Sequence, residues 1–266
     1  MPMQSTILSR TDADSVATLT LSSPDTRNAL GLLAIDQLIV ALSDLDRDRN
    51  VRAVVIEGVG PAFSAGHDLK EIQAHRGDAD KGAAYFEKLM QRCSEFMRAI
   101  VESPKPIIAA VEGVATAAGC QLVAACDLAI AGEAARFALP GVNIGLFCST
   151  PLVAVGRAVS RKHAMELALT GDMIDARRAE AIGLVNRVVA TGQALIEARA
   201  LAARIASRSG AVISLGKRAF QRQIETSLAD AYRIAAQAMI DNLALSDSGE
   251  GISAFLEKRA PAWGDQ

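Results

Sequence analysis

Aromatic residues are scarce in this sequence: they make up 4% of the 266 residues, whereas hydrophobic residues as a whole make up 50%. A core formed by such a chain must be filled mainly by aliphatic side chains. The length is sufficient for one complete core and short for two. We therefore expect a single α/β domain.

The sequence also lacks an excess of charge. Its 28 Lys and Arg residues nearly balance 30 Asp and Glu residues, for a net charge of −2. This balance excludes broad electrostatic attraction to nucleic acid or to an anionic membrane. Membrane-spanning apolar runs are missing, and residues 1–10 do not resemble a secretion signal. We expect a cytoplasmic protein that binds neither nucleic acid nor membranes.

The cysteines lack the spacing of a disulfide framework or a zinc site. Cys93, Cys120, Cys126 and Cys148 form no C-x-x-C pair and have no histidine cluster nearby. Neither a set of disulfides nor a bound metal is favoured by this pattern. We expect reduced, mostly buried thiols and no metal.

Apolar runs and amphipathic patterns alternate through the first 150 residues. Strands are predicted at residues 16–21, 51–56, 106–111 and 128–131, and helices at 32–45, 82–102 and from about 116 to 126. In the first strand, Ala17, Leu19 and Leu21 share one face. Alternating strands and helices favour a mostly parallel sheet with right-handed crossovers.

The rest of the chain is predominantly helical. Helices are predicted at residues 161–170, 176–182, 194–207, 211–225, 230–245 and 249–259, with one strand at 186–189. We divide the chain into an α/β core (1–200) and a helical region (201–266). The helical region presents an apolar face formed by Ala235, Ala238, Met239, Leu243 and Leu245. Burial of that face against a second subunit would make the protein an oligomer.

Two loops that contain glycine and other small residues follow predicted strands, where a parallel sheet presents its ligands. The first, at residues 63–71, reads FSAGHDLKE, and the second, at residues 113–121, reads GVATAAGCQ. The second leads into a helix, whose first N–H groups have no partners within the helix. Small side chains would allow a ligand to approach the backbone closely.

Together the two loops resemble those of the crotonase family, also called the enoyl-CoA hydratase/isomerase superfamily. Further matching segments are Arg27-Asn28-Ala29-Leu30, PKPIIA at 104–109, Cys126-Asp127, Leu169-Thr170-Gly171, Gly183-Leu184-Val185 and AFLEKR at 254–259. The chain looks most similar to the enoyl-CoA hydratase domain-containing branch, whose members also lack the family's paired glutamates. The resemblance implies a crotonase (ClpP/crotonase-like) fold, a spiral of ββα units with a helical C-terminal trimerisation region.

The resemblance also implies a site for an acyl-CoA thioester, in which coenzyme A is part of the substrate and no separate cofactor is needed. The N–H groups of His67 and Ala118 would form an oxyanion hole for the thioester oxygen. Such preorganised donors stabilise the negative charge of an enolate. The coenzyme would lie along Arg27, Asn28, Ala29, Ala65, Gly66, Asp68, Leu69, Lys70 and Thr116, and beside Phe255 and Lys258 of a neighbouring subunit. The assembly implied is a homotrimer or a dimer of trimers.

The sequence departs from the family at both catalytic carboxylates. A hydratase of the family uses two glutamates, and the matching positions here are Gln121 and Gly141. Neither residue can transfer a proton, so a factor of roughly 10²–10⁴ in rate per group is missing. By the same resemblance, Glu112 and Glu133 lie outside the site.

His67 leaves two interpretations open. The run Ser-Ala-Gly-His-Asp is also similar to that of methylmalonyl-CoA decarboxylase, in which the histidine is thought to act beside the acyl carboxylate. Cys148 stands where that enzyme has a tyrosine, so the pair is incomplete. Alternatively, the ring of His67 only lines the site and its backbone alone matters. We expect Asp68 to hold loop N–H groups, and His75 and His163 to lie at the surface.

Three functions therefore remain open: an enzyme of the hydratase/isomerase type with weak hydration, a decarboxylase that uses His67, and a non-catalytic acyl-CoA-binding module. An enzyme requires a proton carrier near the acyl group, whereas a binding module does not. A Rossmann-type dehydrogenase is disfavoured because no G-x-G-x-x-G follows the first strand.

Overall fold

The computed structural model describes residues 7–264, which form two sheets surrounded by helices. The larger sheet has the order β1 (Leu8–Ala13), β2 (Val16–Leu21), β3 (Ala53–Gly58), β5 (Ile107–Val111), β7 (Leu128–Gly132) and β10 (Arg187–Val189). The smaller sheet has the order β4 (Ala62–Ser64), β6 (Val114–Thr116), β8 (Arg136–Ala138) and β9 (Ile174–Asp175). Pairing is parallel except between β1 and β2 and between β8 and β9.

Helices cover both faces of the larger sheet. In the first half of the chain they are α1 (Leu32–Arg47), α2 (Leu69–His75), α3 (Ala83–Glu102) and α4 (Ala118–Ala125). The second half contains α5 (Ser149–Ala158), α6 (Arg161–Thr170), α7 (Ala176–Ala181), α8 (Ala194–Ala206), α9 (Gly210–Gln223), α10 (Leu228–Leu243) and α11 (Ser246–Glu257).

The sheet is apolar on both faces because helices bury both of them. Ala17, Leu19 and Leu21 of β2 join the main core with α1, α3 and α4. On the opposite face, Val16 and its neighbours on the other strands pack against α8. Burial on both faces is typical of parallel strands and explains the nearly continuous aliphatic runs in the sequence.

The sequence predictions agree with these elements in most places. The predicted strand at 16–21 and helix at 161–170 match β2 and α6, whereas the strand predicted at 51–56 begins only at Ala53. The prediction that one strand alone interrupts the helical part is wrong, since β9 lies there too. The boundary proposed at residue 200 falls inside α8 and stays a prediction.

The C-terminal helices expose much of their apolar surface. No residue of α9 or α10 is buried, and Phe255 of α11 is 82% exposed. An ion pair nevertheless joins this region to the core: Lys217 Nζ of α9 lies 2.7 Å from Oδ2 of Asp127, and the side chains are 8% and 23% exposed. The described helices include none with the length and hydropathy of a membrane span.

Candidate functional site

A cavity of about 470 Å³ lies between the two loops, α2, α3 and the segment that leads into α5. Its volume is within the range of small-molecule sites. Of the residues predicted for the site, six line it: Ala65, His67, Leu69, Ala118, Gly141 and Cys148. Neither Asp nor Glu is present among its lining residues in the described part of the chain.

The first loop is held in place by the segment Arg27–Leu30. The Ala65 N–H donates to the carbonyl of Arg27 (2.9 Å), and the Leu30 N–H donates to the carbonyl of Gly66 (2.7 Å). The Ser64 hydroxyl donates to the carbonyl of Asn28 at 2.8 Å. These bonds leave the next N–H along the chain, that of His67, without a partner among residues 7–264.

The buried side chain of Asn28 links three backbone segments through hydrogen bonds. Its amide nitrogen donates to the carbonyls of Val59 (2.9 Å) and Ala62 (2.8 Å), and its side-chain oxygen accepts from the Ser23 N–H (2.8 Å). Both side-chain N–H donors are therefore used within the protein. The backbone of Asn28 is also bonded, since its N–H donates to the carbonyl of Ser23 (2.9 Å) and its carbonyl accepts from Ser64. A contact with coenzyme A at this position stays a prediction.

The second loop turns sharply into α4. Ala117, the residue before the helix, has φ 50° and ψ −119°, a conformation that favours glycine. Ala118 is the first helical residue, and its N–H has no partner in the described part of the chain. The helix adds the positive end of its dipole at this point.

Gly66 brings the two loops together. A Cβ added at Gly66 would lie 3.0 Å from the Ala118 nitrogen and 2.9 Å from the carbonyl oxygen of Thr116. Its φ of +86° also favours glycine. The Thr116 hydroxyl donates to the carbonyl of Ala65 at 3.2 Å, which ties the loops together again. The free N–H groups of His67 and Ala118 thus belong to adjacent backbone segments on one cavity wall.

The His67 ring is in an apolar environment. Burial lowers the pKa of this imidazole to about 4, so the ring is neutral near pH 7. Its Nε2 atom is buried and has no hydrogen-bond partner among the described residues. A buried polar atom without a partner costs free energy, and a ligand group could relieve that cost.

Asp68 has the predicted structural role. Its carboxylate caps α2 by accepting from the N–H groups of Lys70 (2.8 Å) and Glu71 (3.3 Å). Lys70 is exposed and does not line the cavity. The lining residues of this chain also do not include Arg27, Ala29, Phe255 or Lys258. Their contacts with coenzyme A stay predictions.

The positions of the two missing glutamates differ in their surroundings. Gln121 is buried, does not line the cavity, and has its Oε1 4.0 Å from the Cys93 sulfur. Gly141 does line the cavity, and a Cβ there would lie 2.9 Å from the Cys148 sulfur. Burial raises the pKa of the Cys148 thiol, so it is uncharged at neutral pH.

The alternative carboxylates lie elsewhere, as expected. Glu112 accepts from the N–H groups of Gly192 (2.9 Å) and Ala194 (3.1 Å) and so caps the start of α8, and Glu133 is exposed. The predictions that the cysteines are mostly buried and that His75 and His163 lie at the surface agree with the structure. All four cysteines are free and three are buried. The side chains of His75 and His163 are 39% and 34% exposed.

Sequence reasoning missed part of the cavity wall. Ile72, Phe86, Leu89 and Met90 form an apolar side, and Ile144, Leu146 and Phe147 form another. Arg76 supplies the only charged side chain among the lining residues of the described chain. The helical spacing of residues 69–76 was a usable signal for α2, but it did not indicate which side would face a ligand. Among residues 7–264, no group of three or more His, Cys, Asp or Glu could hold a metal.

The chain is similar to known proteins over nearly its whole length. The sequence model of the enoyl-CoA hydratase/isomerase family matches residues 11–266. The mitochondrial enoyl-CoA hydratase domain-containing protein 3 of rat is 46% identical over 94% of this chain and 82% of its own length. The human protein of the same name is 47% identical over 94% of this chain and 81% of its own length.

Solved structures show the same fold. An enoyl-CoA hydratase from Mycobacterium smegmatis matches with a TM-score of 0.92 and 47% identity, over 97% of this chain and 99% of that one. Human enoyl-CoA hydratase domain-containing protein 3 matches with a TM-score of 0.92 and 44% identity, over 97% of this chain and all of that one (100%).

Proposed function

Because the chain belongs to the enoyl-CoA hydratase/isomerase family and has its crotonase fold, we propose that it binds an acyl-CoA thioester in the 470 Å³ cavity. The backbone N–H groups of His67 and Ala118 polarise the thioester carbonyl. One observation carries this proposal: two N–H groups that have no partner among residues 7–264 lie on adjacent segments of the cavity wall. Loss of one oxyanion donor typically costs about 3 kcal/mol of transition-state stabilisation.

Efficient hydration of an enoyl-CoA is not part of this proposal. Hydration requires a base to activate water and an acid to protonate the α-carbon, and no carboxylate lines the cavity of the described chain. Its other titratable groups are poorly suited. His67 is a weak base with a pKa of about 4, and the Cys148 thiol is uncharged at neutral pH. We therefore expect crotonyl-CoA to bind but to be hydrated very slowly.

Parallel measurements of affinity and turnover test this function. Purified protein and a His67→Ala variant, which keeps the backbone N–H, would be titrated with crotonyl-CoA and methylmalonyl-CoA. The infrared band of a ¹³C-labelled thioester carbonyl should move to lower frequency on binding to both proteins. A carbonyl band that does not move would contradict the oxyanion hole. Brisk hydration of crotonyl-CoA would reveal an acid or base that the cavity wall does not show.

Decarboxylation is a second candidate, favoured by the unpartnered Nε2 of His67. Loss of CO₂ from a malonyl-type thioester leaves the electron pair as an enolate. The reaction therefore needs stabilisation of the oxyanion but no base to form it. A neutral imidazole could donate one hydrogen bond to the acyl group. Turnover of methylmalonyl-CoA that disappears in His67→Ala would support this reaction over hydration or isomerisation.

A non-catalytic acyl-CoA-binding module is the third candidate, favoured by the absence of lining carboxylates in the described chain. Binding requires the backbone donors and coenzyme contacts but no proton carrier. Tight binding of both thioesters without turnover of either would support this function.

We also propose that the protein assembles as a homotrimer or a dimer of trimers, in which Phe255 and Lys258 of one subunit reach the coenzyme bound to another. The support is the exposed apolar surface of α9–α11, including Tyr232 (72% exposed) and Phe255 (82% exposed), since large exposed apolar patches mark interaction surfaces. Light scattering at micromolar concentration tests the assembly, and a monomer would contradict it. The cytoplasm remains our proposed location, although the rat and human relatives are named mitochondrial.

A further inference from the structure

One positive charge lies among the mostly apolar residues that line the cavity. Arg76 follows the last residue of α2 and lines the cavity together with Leu69, Ile72, Leu89 and Met90. Its Cζ atom lies 5.9 Å from the ring centroid of Phe86, another lining residue. The guanidinium is therefore held beside the cavity by a cation–π contact.

Arg76 has no acidic partner within residues 7–264, although several carboxylates are close in sequence. Asp78 contacts Nδ1 of His75 at 2.7 Å. Asp80 accepts from the N–H groups of Gly82 and Ala84, each at 2.9 Å. Glu71 accepts from the Tyr85 hydroxyl at 2.7 Å. Each nearby carboxylate is bonded elsewhere, so the guanidinium keeps all its donors for solvent or for a ligand.

The position of Arg76 at the end of a helix explains only part of this arrangement. A cation at a helix C-terminus is favourable because of the helix dipole, but that effect does not require the side chain to line a cavity. The helix also sets a distance. It begins just after His67, and eight residues from Asp68 to Arg76 rise by about 12 Å. The backbone of Arg76 is therefore well separated from the N–H of His67 that would hold the carbonyl.

We propose that the acyl group of the substrate ends in a carboxylate at the end opposite the thioester, and that Arg76 binds it. The substrate class is then the mono-CoA thioester of a linear dicarboxylic acid. Arginine binds a carboxylate through two parallel N–H donors, and the apolar wall between the two ends accommodates the methylene chain. This inference rests on the proposed acyl-CoA binding and narrows its substrate.

The test compares thioesters of equal chain length with and without the terminal carboxylate. Calorimetry would give the affinities of adipoyl-CoA and hexanoyl-CoA, and of suberoyl-CoA and octanoyl-CoA, for the wild-type protein and for Arg76→Gln. We expect at least one dicarboxylic member to bind about tenfold more tightly than its partner, as for a charge-assisted hydrogen bond. Arg76→Gln should abolish that preference and leave the affinity for the uncharged chain unchanged.

Two matched variants and one further ligand complete the design. Arg76→Lys keeps the charge but not the paired donors, so it should retain only part of the preference. Arg47→Gln removes an exposed arginine from the last turn of α1, away from the cavity, and should leave the preference intact. Methylmalonyl-CoA carries its carboxylate beside the thioester. Its affinity should therefore not depend on Arg76.

The possible results separate this inference from the function on which it rests. Equal affinities within both pairs, or a preference that survives in Arg76→Gln, would overturn the role of Arg76 but leave acyl-CoA binding intact. Failure of the wild-type protein to bind any of these thioesters would overturn both. Arg76 is exposed, so its substitution should not prevent folding, and a thermal melt of each variant checks this point.

Discussion

The sulfur of Cys148 occupies the space that a side chain at position 141 would enter. A Cβ on Gly141 would lie 2.9 Å from that sulfur, 3.0 Å from the carbonyl oxygen of Leu146 and 3.3 Å from the Cys148 nitrogen. The cavity is therefore closed to a glutamate at 141 as it is now packed. Recovery of hydratase chemistry would require more than the return of one carboxylate.

Gly141→Ala should lower the free energy of unfolding by about 1–3 kcal/mol, because one added carbon overpacks this wall. The same substitution in a Cys148→Ala background should cost less, since the nearest clash is then removed. Urea unfolding of the four proteins in this cycle measures the difference. Equal costs in the two backgrounds would show that the backbone contacts, rather than the sulfur, limit the space.

Ala117→Gly should raise the free energy of unfolding by about 1 kcal/mol. Strain of about 1–3 kcal/mol at φ 50° is relieved, and the greater freedom of glycine in the unfolded chain offsets part of that gain. Ala124→Gly, within the same helix, is the matched control and should be destabilising by about 0.5–1 kcal/mol. A loss of stability in Ala117→Gly would mean that the methyl group packs more favourably than the strain costs.

Lys217→Met should destabilise the protein by about 1–3 kcal/mol, because the Asp127 carboxylate loses its cation and keeps only the Ile107 N–H (2.8 Å) as a donor. Lys217 also donates to the carbonyls of Ile100 (3.3 Å) and Lys105 (3.0 Å), so α9 loses its polar attachment to the core. A Lys217→Met/Asp127→Asn double variant should recover part of the loss. An unchanged free energy of unfolding in the single variant would show that solvent replaces Lys217 as the partner of Asp127.

The cost of Lys217→Met should also depend on pH. Burial raises the pKa of Asp127 even with Lys217 present, and loss of the cation should raise it further. A carboxyl whose pKa is higher in the folded state than in the unfolded state destabilises the fold progressively as pH rises through the folded value. The stability difference from wild type should therefore widen from pH 4 towards neutrality. A difference that stays constant would exclude titration of Asp127.

His67 should make the protein less stable in mild acid. Burial lowers the folded-state pKa of this imidazole from its usual 6.5 to about 4, so the unfolded state binds a proton more readily. The contribution of neutral His67 to the free energy of unfolding is fully present above pH 6.5. It is lost as the pH falls towards 4, and the total loss is up to about 3 kcal/mol. Unfolding measured across this range should show a shallower slope in His67→Gln than in the wild type. Identical slopes would place the titration elsewhere.

The sequence predicted the long elements well because their periodicity is strong. Short elements carried too little pattern: β4, β6 and β8 have three residues each, and β1 is a polar edge strand whose residues are mostly exposed. Helix α5 was missed because Pro151 lies in its first turn. Proline is tolerated there, since the first N–H groups of a helix have no partner within it.

The candidate site was only partly visible in the sequence. The two loops were identified from their small residues and family resemblance, and Asp68 was given its capping role. Arg76 and the apolar wall around Phe147 could not be identified in this way, because their approach to the loops depends on tertiary packing. The occupation by Cys148 of the space next to Gly141 is likewise a matter of three-dimensional contact.

The donors proposed for the thioester are main-chain N–H groups, so almost any amino acid at positions 67 and 118 supplies them. Proline alone lacks the amide hydrogen. Missense mutations at these two positions therefore leave the hydrogen-bond donors in place. A single missense mutation is enough, in contrast, to replace the side chain of Arg76. A gene for such a protein can change which acyl group is accepted without first losing the means of holding the carbonyl.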